Sequence, residues 1–106
     1  MIRKTGLYQE NGFSEKGPRN YLIHESPYLK VINFNLKAGQ TLPVHSHDID
    51  GQLVITVFEG SGRFLGKEDT FFPAAVGDVL VSDISEPHGI QAETDMRVVV
   101  TIAPPI

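Results

Sequence analysis

The chain has 106 residues, 41% of them apolar, a formal charge of −4 and a pI near 5.4. That length suits one domain, and its nine Lys and Arg are scattered without a basic face, which argues against nucleic acid as a partner. No segment approaches the ~18 apolar residues of a membrane span, no signal peptide is evident, and the absence of cysteine excludes disulfides and thiolate metal sites and suits a reducing cytoplasm.

Residues 1–27 are glycine-rich and polar ("GLYQENGFSEKGPRN") and are expected to form an irregular arm, an edge strand or part of a subunit interface. His24, in "YLIHESPY", is expected at the surface or in that interface. Beyond it, ten glycines and seven prolines in the whole chain fall largely between short apolar runs, the pattern of many strands joined by turns. Strands are predicted at Tyr28–Leu36, Thr41–His47, Leu53–Glu59, Gly62–Leu65, Thr70–Pro73, Val79–Ser82, Gly89–Ala92 and Met96–Ala103. The last contains Val98-Val99-Val100-Thr101-Ile102, β-branched throughout, which suits a strand buried on both faces. The spacing predicts an all-β sandwich or barrel, a single domain over 1–106 with its core in 28–106.

His45 and His47, in "PVHSHDIDGQ", are two apart. On a strand, such residues point to one side, roughly 6–7 Å apart, so both rings can lean toward one metal ion. A surface pair is the plainer alternative. His88, in "GDVLVSDISEPHGI", follows a polar turn at the start of another strand and adds a third imidazole if the fold brings the hairpins together.

These stretches resemble the two motifs of the cupins. Gly39, "QTLPV", His45-Ser46-His47, "DIDG", Gln52, "LVITVFE" and Gly60 follow the order of the first; Gly77, "DVLVS", Asp83-Ile84-Ser85, "EP" and His88 keep the spacing of the second. Asp83 and Ser85 stand where proline and glycine are common, and both form turns well. The resemblance implies a small single-domain, RmlC-like cupin, that is, a double-stranded β-helix or jelly-roll barrel, and a homodimer. It also implies a metal held inside the barrel by His45, His47, His88 and a residue in a glutamate slot.

No glutamate fills that slot. Counting forward from His47 places Gln52 there and counting back from Gly60 places Leu53; a one-residue bulge between them would reconcile the two counts. An amide oxygen can ligate and leucine cannot, which favours Gln52; Asp48 and Asp50 are expected in the solvent-facing loop. With Gln52 inward, Val54, Thr56 and Phe58 line the ligand pocket; with Leu53 inward, Ile55 and Val57 do. Either set is apolar, so a modest organic ligand is expected, recognised largely through the ion.

Three functions remain open. One is an enzyme (oxygenase, isomerase or lyase) using a divalent transition metal: Fe, Ni, Mn, Zn or Cu. The others are a non-catalytic ligand-binding or sensing barrel, and a metal-free barrel whose histidines touch the ligand directly.

Overall fold

A computed structural model describes all 106 residues. Nine strands make up the fold: β1 (Arg19–Glu25), β2 (Lys30–Leu36), β3 (Thr41–His45), β4 (Gln52–Glu59), β5 (Ser61–Leu65), β6 (Phe71–Ala75), β7 (Val79–Asp83), β8 (His88–Ala92) and β9 (Met96–Ala103). Every pairing is antiparallel. The strands form two sheets, ordered β1-β2-β9-β4-β7 and β3-β8-β5-β6, facing each other as a flattened barrel.

Alternation decides what fills it. Leu53, Ile55 and Val57 of β4, Met96, Val98 and Val100 of β9, Phe64 of β5 and Ile90 of β8 are all buried between the sheets. Each such side chain contributes about 1.5–3 kcal/mol by leaving water. The outward residues of β9, Val99 and Thr101, are only half-buried, so this strand is less enclosed than its β-branched run suggests.

Several predicted boundaries move by one or two residues, two of them for a visible reason. Tyr28 and Leu29 belong to a turn, their backbone N–H groups donating to the Ser26 hydroxyl. The strand expected to reach His47 stops at His45, because the His47 N–H donates to the Ile84 carbonyl (3.2 Å) instead of continuing the ladder.

Residues 1–27 contain a single helical turn, α1 (Leu7–Glu10), and the edge strand β1. The segment after α1 is pinned to the outer face of the five-stranded sheet by a buried amide chain. The Asn11 amide donates to Asn33 Oδ1 (2.7 Å), Asn33 to Asn35 Oδ1 (2.9 Å) and to the Val98 carbonyl (3.0 Å), and Asn35 to the Gly12 carbonyl (2.9 Å). Asn33 and Asn35 are fully buried, and no buried side-chain polar atom lacks a partner. Beside them Arg97 donates to Glu59 (2.9 Å) and lies over the rings of Tyr8 and Phe13, while Tyr8 packs edge-on against Phe58.

Candidate functional site

The pairing of β3 with β8 sets His45 directly opposite His88. The register slips between Leu42 and His45, and this bulge brings the β3 backbone down onto Gly89. A Cβ at Gly89 would come within 2.7 Å of the Leu42 carbonyl oxygen and 2.9 Å of the Val44 nitrogen, so only glycine admits the approach. On the other side, Gly51 (φ +146°) lets the His47 loop close against the end of β9, since a Cβ there would collide with the Ala103 carbonyl. The Ile84 N–H donates to the Gly51 carbonyl (3.0 Å), tying this loop to the turn that carries His88.

The His45 and His88 ring centroids lie 4.5 Å apart, and those of His45 and His47 lie 5.5 Å apart. His88 is buried; His45 and His47 are exposed at the rim. Two hydrogen bonds fix the chemistry of the inner pair. His45 Nδ1 donates to the Pro43 carbonyl (2.9 Å) and His88 Nδ1 to the Glu86 carbonyl (2.7 Å). A carbonyl only accepts, so in each neutral ring the proton sits on Nδ1 and Nε2 keeps its lone pair. Burial holds the His88 pKa below the usual histidine value against the opposing hydrogen bond to Glu86, with smaller lowering contributions from His45 and His47.

That is the tautomer a metal-ligating imidazole needs, including its hydrogen-bonded support. In donor chemistry His45 and His88 therefore suit a divalent ion. As the rings stand they pack on one another, and no group of three or more His, Cys, Asp or Glu is assembled closely enough to hold a metal.

Of the two candidates, Leu53 faces inward. Pairing of β4 with β7 runs unbroken from Gln52 to Thr56, with no bulge between the two; the irregularity in β4 falls later, between Val57 and Glu59. Gln52 consequently points outward, exposed, its amide donating to Asp83 Oδ1 (3.3 Å). Val54, Thr56 and Phe58 lie on that same outer face rather than in the pocket, whereas Leu53 and Ile55 line a cavity of about 170 Å³ inside the barrel. His45 and His88 contribute to its wall, along with Phe34 of β2, Ile90 of β8, and Val100 and Ile102 of β9. The residues of β2 and β9 were not singled out by the sequence; the alternation of Ile32, Phe34 and Leu36 was the available signal. Asp48 and Asp50 are exposed. His24 lies far along the chain's first strand, where Arg3 Nη2 donates to its Nδ1 (2.8 Å).

No family model and no curated protein matches the sequence. Solved structures do. An RmlC-like cupin from Desulfovibrio desulfuricans is 49% identical over the whole of both chains, with a TM-score of 0.96. A conserved protein with a double-stranded β-helix domain from Klebsiella pneumoniae is 20% identical, covering 98% of this chain and 91% of its own, with a TM-score of 0.89. Salicylate 1,2-dioxygenase from Pseudoaminobacter salicylatoxidans, a cupin-fold neighbour named as an enzyme, is 20% identical over 92% of this chain and 29% of its own, with a TM-score of 0.73. Barrel topology and full-length identity agree: the chain belongs to the RmlC-like cupins.

Proposed function

We propose that this cupin binds a divalent transition metal through His45, His47 and His88 and acts on a small organic molecule in the barrel cavity. One observation carries the reading: across the β3–β8 ladder, two imidazoles are each locked by a backbone carbonyl into the form with a free Nε2. A structural histidine has no need of that arrangement twice over at the mouth of an apolar cavity.

An ion held by three neutral imidazoles keeps its full charge and supplies Lewis acidity to a substrate oxygen. The chain's own residues define the rest. Leu53 provides no carboxylate, so the site offers neither a charged fourth ligand nor a general base at that position. His88, kept neutral by burial, remains a competent donor below the pH at which an exposed histidine would charge. Apolar walls exclude water from the bound molecule. Enzyme classes consistent with this are oxygenase, isomerase and lyase, working as a homodimer in the cytoplasm.

A metal-free barrel is the second reading, favoured by the close mutual packing of the three rings. Calorimetric titration of chelator-treated protein with Ni or Zn separates the two. A saturable site lost in His88→Ala supports the metal reading; identical heats in both proteins refute it.

A further inference from the structure

We infer that the molecule this cavity accepts has an apolar body about the size of one six-membered ring, with its polar atoms confined to the end facing His45 and His88. The inference deepens the proposed function, and rests on it only for the ion at the polar end.

Volume sets the size of the body. An apolar cavity of ~150 Å³ can admit benzene, and the space here is about 170 Å³, partly open to solvent. Its walls hold a single ring or a branched chain of about six carbons; a fused bicyclic body would have to protrude from it.

Wall chemistry sets its polarity. Phe34, Leu53, Ile55, Ile90, Val100 and Ile102 present only carbon, and His45 and His88 are the only side chains of the wall that can form a hydrogen bond. Their Nδ1 atoms are already committed to Pro43 and Glu86, leaving the two Nε2 positions. No lysine or arginine reaches the cavity, so an anionic group inside has no counter-charge from the protein. A polyhydroxylated sugar would leave several hydroxyls unpaired against carbon, a cost of about 1–3 kcal/mol for each. With an ion on the two Nε2 atoms, a ring or short branched chain bearing one carboxylate, or two adjacent oxygens at one end, leaves none; without it, those lone pairs accept only from a donor such as a hydroxyl.

His88 also borders a second cleft of about 430 Å³, lined by Phe64, Phe72 and Leu80. If the apolar body lay in that cleft, the inner walls would not sense it, and this is the alternative the test must exclude.

Methyl-detected NMR on the full chain reads the position directly. Benzene, benzoate and glucose are titrated into chelator-treated and Zn-loaded wild-type protein, following the methyl signals of Leu53, Ile55 and Ile90. Benzene is expected to shift these signals with or without Zn and benzoate chiefly with Zn, with glucose silent. Benzoate is expected to bind about tenfold tighter when Zn is present. Benzoate binding without that gain supports the cavity assignment and removes the ion from it, so the two ideas fail separately. Shifts confined to Leu80, no shifts at all, or competition by glucose would overturn the inference. In Ile55→Phe, which fills the space, binding of both aromatics should be lost; the wild-type titration decides the matter even if that variant does not fold.

Discussion

His88 stands opposite His45 across the β3–β8 ladder, and the two rings differ sharply in surroundings although their centroids are 4.5 Å apart. His88 is buried and His45 is exposed. A ligand bridging them would touch both the inner cavity and the rim. This asymmetry makes His88 the residue whose loss should cost more.

Acid should destabilise the metal-free protein through His88. Its folded-state pKa is lowered by burial, so the unfolded chain binds the proton more tightly, and stability rises with pH through the window between the folded value and the ordinary value of 6.5. Above that window the contribution is fully present; below it, lost. Melting curves of chelator-treated protein from about pH 8 to pH 5 should show a steeper fall for wild type than for His88→Gln. Parallel curves would remove His88 as the source.

Leu53→Glu should act in opposite directions on stability and metal binding. Without an ion, a carboxylate replaces a residue that is 2% exposed in the core, costing about 3 kcal/mol or more. With an ion, it supplies a charged ligand and should raise affinity by about tenfold or more. Denaturation with and without Zn, beside a calorimetric titration, checks both signs.

Gln52→Ala should leave metal affinity unchanged. The side chain faces solvent and gives up only its hydrogen bond to Asp83. A weakened site in this variant would mean that the β4 register shifts when metal binds.

Asn33→Ala should destabilise the fold by about 1–3 kcal/mol, because it leaves the Asn11 amide only its longer bond to the Arg19 carbonyl (3.3 Å) and deprives the buried Asn35 Oδ1 of its donor. Hydrogen exchange should quicken around Asn11–Phe13. Metal content should not change, since this network lies on the outer face of the sheet.

Much of the barrel was legible because its turns are marked by Gly, Pro and Asp and its strands are β-branched, as in Met96–Ala103, where predicted and observed bounds coincide. Two features resisted. The strand β1 carries the polar residues Arg19, Asn20, His24 and Glu25 and alternates weakly, since it is an edge with little to bury. The inward face of β4 was ambiguous because both faces are apolar: Leu53, Ile55 and Val57 fill the core, while Val54, Thr56 and Phe58 are half-buried on the other side, where Tyr8 covers Phe58. Periodicity carries no signal when both faces are shielded, and the functional count from His47 then chose the wrong one. The same-side argument for His45 and His47 also assumed a strand through both, whereas β3 ends at His45.

The most direct measurement is elemental analysis of tag-free protein purified without chelator, wild type beside His47→Ala. The metal reading predicts roughly one divalent transition-metal ion per chain in the wild type, absent from the variant. Wild-type protein that stays metal-free after reloading with Fe, Ni, Mn and Zn would contradict it.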